Sequence, residues 1–154
     1  PKNVFGYVLG EHGSHCFTPK SLISIAGQSA DYYCETNGLE KIDATELLDE
    51  VRQAGFDIFT KKQNTTHGIA ASVFRIIQAI MIDEKSVLPI GTLIQGQYGL
   101  NDVVLSLPTV VSRRGVEKIL IHPFTEEEMS YLHDIADQLQ ITIQDVAIKT
   151  GLMK

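Results

Sequence analysis

The sequence predicts an α+β domain of antiparallel strands packed against helices, ending in a long C-terminal helix. Three observations predict it. Apolar residues recur at helical spacing in two central blocks and again near the C-terminus. Three β-like stretches lie together between the second and third of these blocks, joined by short turns. Strands are thus grouped rather than alternating with helices, which argues against a βαβ arrangement.

Residues 3–9 are apolar and read as a buried strand ending at Gly10. The polar stretch from Gly10 to His15 reads as a loop. Residues 17–27 suit either a short helix begun at Thr18-Pro19 or a strand through Leu22-Ile23-Ser24-Ile25. Residues 31–41 read as irregular, with a turn at Asn37-Gly38. Asp43 followed by Glu46 resembles a capping box, and Leu47, Leu48, Val51, Ala54, Ile58 and Phe59 then keep helical spacing to about Lys62. Gly55 interrupts that helix at a cost of ~1 kcal/mol relative to Ala, which a close approach to another group would explain. A second helix starts at Thr65 or Thr66, carries Ile69, Val73, Ile76, Ile77, Ile80 and Met81 on one stripe, and stops at Asp83. Residues 87–97, 103–112 and 116–121 are β-like, with Gly99, Asn101 and Asp102 in the first turn and Arg113-Arg114-Gly115 in the second. Three strands joined so closely favour an antiparallel meander. Pro89 and Pro108 are expected at edges or bulges, since proline donates nothing to a ladder. Thr125 with Glu128 forms a capping box for a final helix reaching about Lys149.

Composition narrows the function classes. The chain has 154 residues, the length of one ordinary domain, and 44% of them are hydrophobic, enough for one core. Nineteen acids against thirteen bases give −6, and no basic run exceeds Lys61-Lys62 or Arg113-Arg114. Phosphate backbones are bound by clustered Lys and Arg, so no nucleic-acid partner is expected. No apolar run reaches the ~20 residues that span a bilayer, so no membrane partner is expected. Two cysteines, Cys16 and Cys34, are too few for a disulfide scaffold, and a cytoplasmic location is expected. The chain begins at Pro1 inside an apolar run, which suggests a piece of a longer protein.

Among residues that could carry chemistry, His12 stands out. It lies in a loop at a strand end between Gly10 and Gly13, whose size lets another group approach. Imidazole exchanges protons near neutral pH, so His12 reads either as a general acid and base or as an ordinary exposed loop histidine. His12, His15 and Cys16 also raise zinc, but the remaining His and Cys residues lack the paired spacing of a structural site, and no metal is expected. His67 sits in a first helical turn and suits packing or a partner contact; His122 and His133 read as surface residues. Thr65 and Thr66 read as a helix cap, where free N–H groups also favour anions. Gly91, Gly96 and Gly99 do not form a dinucleotide or phosphate loop.

Four segments together resemble one family. The stretch Val8-Leu9-Gly10-Glu11-His12-Gly13 resembles the catalytic-histidine motif of the NAD-dependent lactate/malate dehydrogenases. Ile25-Ala26-Gly27, the stretch from Lys62 to Ser72, and the stretch from Gly96 to Pro108 followed by Gly115 resemble later segments of that family in order and spacing. The resemblance covers essentially the whole chain. It implies that residues 1–154 form the family's C-terminal, substrate-binding domain, and that the N-terminal Rossmann domain which binds NAD is absent from this chain.

The resemblance further implies an enzyme that interconverts a 2-hydroxy acid and a 2-oxo acid. NADH would deliver hydride to C2 while His12 donates a proton to the carbonyl oxygen, and neutral His12 would act as base in reverse. Thr65 corresponds to a substrate-pocket threonine, Ile69 to the apolar residue against the nicotinamide ring, and Gly55 to a position near the pocket wall. An aspartate that orients the histidine and an arginine that clamps the substrate carboxylate would lie in the missing half. Partners would be the small-molecule acid, the Rossmann domain and further copies in a homo-oligomer, with a glycolytic setting. Alone, this chain is expected neither to hold NAD tightly nor to turn over. L-lactate dehydrogenase is the first reading. Malate or branched 2-hydroxy-acid (hydroxyisocaproate) dehydrogenase is the second, and a non-catalytic assembly module is a third of another class. Three departures stand out. Phe5 occupies a position where many bacterial members carry a histidine for fructose 1,6-bisphosphate, which argues against that control. Ser14 replaces a usual acid, and Asn64-Thr65-Thr66-His67 lacks the common aromatic.

Overall fold

A computed structural model describes residues 2–13 and 15–152. Pro1, where the chain begins, and Ser14, one of the three departures from the family, lie outside the described residues.

Among the described residues, eight strands and four α-helices follow one another in an α+β order. Strands β1 (Val4–Phe5), β2 (Leu9–Gly10), β3 (Cys16–Phe17), β4 (Ser24–Ile25) and β5 (Gln28–Ser29) precede helices α1 (Ala30–Thr36), α2 (Ala44–Lys62) and α3 (Thr66–Met81). Then come β6 (Ser86–Gln95), β7 (Asn101–Ser112), β8 (Gly115–Ile119) and α4 (Glu126–Lys149). A small sheet runs in the order β1-β4-β5, and a larger one in the order β3-β2-β7-β6 with β8 also on β7. All described pairings are antiparallel.

The core forms where the first half of α4 lies across the larger sheet. Leu9, Phe17, Ile94, Val103, Leu105, Leu107, Leu132, Ile135 and Ala136 make one buried cluster. On β7 the alternation of Val103, Leu105 and Leu107 with the less buried Val104 and Ser106 is the period-2 pattern of a sheet with one buried face. On α4, Leu132, Ile135 and Ala136 are the helical counterpart. Fully burying one leucine contributes ~1.5–3 kcal/mol, so this cluster outweighs any single polar contact in the domain.

Three sequence expectations need correction. Residues 3–9 do not form one buried strand. Val4 and Phe5 are exposed and pair with β4, whereas Leu9 and Gly10 are buried and pair with β3 and β7, so the chain changes sheet between them. The start of residues 31–41 is helical, not irregular. Ser29 Oγ accepts from Tyr32 N, Ala30 and Cys34 bury one face at i,i+4 spacing, and Asn37 ends the helix. Pro108 sits within the central strand, opposite Pro89 of the outer strand β6. Neither proline has an N–H, so the two tolerate each other as a facing pair. On its other edge, β7 pairs with β2 at Ser106 and with β8 from Thr109, and Pro108 falls between these ladders while its carbonyl accepts from Leu120 N.

The α4 capping box is complete. Thr125 Oγ1 accepts from Glu128 N and Glu128 Oε2 accepts from Thr125 N. The same carboxylate accepts from Ser21 N at 2.9 Å and from Ser21 Oγ at 2.7 Å, which ties the 3₁₀ turn Lys20–Leu22 to α4. Burial alone would push the Glu128 carboxyl up, but the hydrogen bonds from Ser21 and Thr125 outweigh it and hold its pKa below the ordinary value of 4.5. A carboxyl depressed on folding contributes stability above its unfolded pKa, and that contribution is lost as pH falls through the folded value. Glu128→Ala is expected to cost ~1–2 kcal/mol at neutral pH, since it removes the charged acceptor shared by Ser21 N, Ser21 Oγ and Thr125 N. In urea titrations the variant should lose less stability than the parent as pH drops below 4.5.

Candidate active site on the His12 hairpin

Strands β2 and β3 pair as a hairpin, with Glu11, His12, Gly13 and His15 among the residues between them. Leu9 faces Phe17 and Gly10 faces Cys16 across the pair, and Glu11 N donates to His15 O at 2.9 Å. Gly13 N donates to Glu11 O at 3.1 Å. Glu11 Oε2 and His15 Nδ1 lie 2.7 Å apart, so the carboxylate beside His12 in sequence is engaged across the loop with His15. Among the described residues no side chain hydrogen-bonds the His12 ring.

Gly10 is required where it stands. Its φ is +98°, and a Cβ would come 3.0 Å from His15 O and 3.1 Å from Ile135 Cδ1. The loop is therefore pressed against α4 through a position that has no room for a side chain.

His12 is exposed and borders two open clefts. One, of about 320 Å³, is also lined by Leu48, Val51 and Arg52 of α2, Pro89 of β6 and Ser106 of β7. The other, of about 430 Å³, is lined by Gly91, Val104 and Ser106 of the sheet and Leu139 and Ile143 of α4. A larger cleft of about 450 Å³ opens beyond Cys16, where Lys20, Arg52, Glu127 and Tyr131 meet. Arg52 Nη2 donates to Cys16 O at 3.2 Å and reaches Cys16 Sγ at 3.6 Å, and Nη1 donates to Asp49 at 3.2 Å. Contact with the Cys16 sulfur, offset in part by burial and aided by Asp49, pushes the Arg52 pKa above its ordinary value.

The other expected site residues lie apart from the clefts. Gly55 is on α2, one turn beyond Val51 and on the same face. A Cβ there would meet nothing within 4 Å, so the close approach expected from the sequence is not found among the described residues. Thr65 is the N-cap residue of α3, without a side-chain cap bond, and Asn64 Oδ1 instead accepts from Thr66 N. Ile69 lies one turn into α3 and is 53% exposed. Neither Thr65 nor Ile69 borders the His12 clefts.

His122 and His133 are half-buried rather than surface residues. The turn at Gln97–Gly99 folds back towards α4, so Tyr98 OH accepts from His122 N at 2.8 Å and the His133 ring contacts Tyr98 O at 3.0 Å. His67 is exposed. Among the described residues no three His, Cys, Asp or Glu side chains converge as a metal site would require.

The pattern of the lactate/malate dehydrogenase α/β C-terminal domain matches residues 1–150. The chain belongs to the lactate/malate dehydrogenase family. It is 40% identical over 147 residues to an L-lactate dehydrogenase of Clostridium acetobutylicum, covering 93% of this chain and 45% of that one. It is 38% identical over 149 residues to an L-lactate dehydrogenase of Acetivibrio thermocellus, covering 96% and 47%. In structure it is similar to a minor L-lactate dehydrogenase of Enterococcus mundtii, with a TM-score of 0.86 and 31% identity over 95% of this chain and 47% of that one. A malate dehydrogenase of Aeropyrum pernix gives a TM-score of 0.80 at 28% identity, covering 94% and 46%. The chain thus spans about half the length of these dehydrogenases.

Within this dehydrogenase domain, sequence reasoning missed Arg52 and Ser106. Arg52 is four positions after the buried Leu48, on the helical face that meets the histidine loop, and that spacing was its available signal. Ser106 gives none, because only the pairing with Gly10 brings it to His12. Gly10→Ala tests the packing of the loop. It should destabilise the domain by ~1–3 kcal/mol through backbone strain and overlap, as read by denaturant unfolding.

Proposed function

We propose that this chain is the substrate-binding half of an NAD-dependent dehydrogenase of the L-lactate type, with His12 as the proton donor and acceptor. The carrying observation is the placement of His12 at the tip of a braced hairpin, exposed to two clefts, in a chain of this family. Named relatives that act on lactate support the choice of substrate.

The residues present fit one end of the cofactor. Ile69 leaves an uncovered apolar surface on α3 suited to the flat face of a nicotinamide ring. The chain has no glycine-rich phosphate loop, so the nucleotide portion would be held by an N-terminal Rossmann half. When bound, the nicotinamide supplies the two electrons and the hydrogen that reach C2 of the oxo acid. Protonated His12 hydrogen-bonds the carbonyl oxygen and gives up its ring proton as negative charge builds there. In oxidation, neutral His12 receives the hydroxyl proton. The Thr65 O–H, at the head of α3, donates a hydrogen bond to the substrate, and Gly55 leaves room for the substrate side chain. The aspartate orienting His12 and the arginine clamping the carboxylate belong to the other half.

Uncovered apolar side chains support partners for this half. Phe56 and Phe59 on α2, and Val73, Phe74 and Ile77 on α3, are all about half exposed or more. Apolar area of this kind marks contact surfaces, here for the Rossmann half and for further copies in a homo-oligomer.

In the polypeptide that carries both halves, His12→Asn should lower kcat by ~10²–10⁴-fold, the usual worth of positioned proton transfer. Wild-type turnover by that variant overturns the assignment. Comparing pyruvate, oxaloacetate and 4-methyl-2-oxopentanoate as substrates separates the lactate, malate and branched-acid readings. Residues 1–154 alone should neither turn over nor bind NADH tightly, and stoichiometric binding by calorimetry would contradict this.

A further inference from the structure

The outer edge of the histidine hairpin has a hydrogen-bond donor that comes from a helix. Strand β3 is at the end of the larger sheet, with β2 on one side and, among the described residues, no strand on the other. An open strand edge presents backbone groups that need partners. At Cys16 the partner of the carbonyl is Arg52 of α2, with Nη2 at 3.2 Å from the oxygen and 3.6 Å from Sγ. Asp49, one turn earlier on α2, accepts from Nη1 at 3.2 Å and fixes the plane of the guanidinium. Cys16 Sγ in turn donates to Gly13 O at 3.4 Å, inside the loop and next to His12. A continuous set of contacts therefore runs from α2 to the residue that follows His12. Arg52 also lines the His12 cleft of about 320 Å³.

We infer that Arg52 is a positioning residue: by holding the Cys16 carbonyl it fixes the His12 loop to α2, the helix that also carries Gly55. This rests on the proposed role of His12. Arginine suits the task because its planar fork serves the carbonyl, the sulfur and Asp49 at once. Lysine, a single point charge on a flexible stem, can keep only the carbonyl contact.

The test uses the polypeptide that carries both halves. Arg52→Gln, Arg52→Lys and His12→Asn are each assayed for kcat and KM towards the 2-oxo acid, with thermal melting alongside. Since ~1 Å of misplacement can cost up to about 10²-fold, Arg52→Gln should lower kcat by about tenfold while KM changes much less, and Arg52→Lys should recover part of the loss. Three results overturn the inference. One is wild-type kcat in Arg52→Gln. Another is a rise in KM with kcat unchanged, which would make Arg52 a substrate-binding group. The last is equal losses in both arginine variants that follow their melting temperatures, which would make the contact merely structural. The His12→Asn arm separates the two claims. If it keeps full turnover, the assignment of His12 fails; if it loses turnover while Arg52→Gln does not, only the role of Arg52 fails.

Discussion

Strand β7 is bonded along both edges, yet at its middle stands Pro108, which has no N–H to give. On one side it faces another proline, Pro89. On the other, β7 passes from β2 to β8 at this point, and only the Pro108 carbonyl is used, by Leu120 N. The proline thus marks a handover between two neighbours. One of them, β2, carries the histidine loop, and the other, β8, leads into α4. Helix α4 then returns across the sheet, and Ile135 takes the space that a side chain at Gly10 would need. Site and core are consequently parts of one packing arrangement.

The domain is firm around that arrangement and open elsewhere. Glu128 is tied to Ser21 and Thr125, and the His12 loop is braced by its own backbone, by the Glu11–His15 contact and by Arg52. Helices α2 and α3 present a different picture. Leu48 is the buried residue of α2 and Ala79 that of α3, while Phe56 and Phe74 are about two-thirds exposed. Catalytic geometry needs a group fixed within a fraction of an ångström. The exposed helix faces, by contrast, have the character of surfaces made to be covered.

Long periodic elements were legible in the sequence. The stripes of α2, α3 and α4 and the box of Thr125 and Glu128 sit where their spacing placed them, because helical periodicity depends only on neighbours along the chain. The two-residue strands were not legible, since a run as short as Val4–Phe5 carries no period. Pro108 was misjudged because the rule against proline in a central strand assumes that every backbone N–H has a partner waiting. In the candidate site, the glycine-flanked motif singled out His12, which lines two clefts. Arg52 and Ser106 were not singled out, because each reaches the loop only through tertiary pairing.

The pairing of Gly10 with Ser106 joins positions nearly a hundred residues apart, whereas β6 and β7 meet through a short turn. Closing a long loop costs more chain entropy than closing a short one, and contacts distant in sequence slow folding. The β6–β7 hairpin therefore has the lower closure cost, which favours its forming before the N-terminal strands dock on its edge. In this order of events the His12 loop is among the last pieces to be set. A polypeptide caught before that step would already have most of its hydrogen-bonded sheet and yet have no His12 in place.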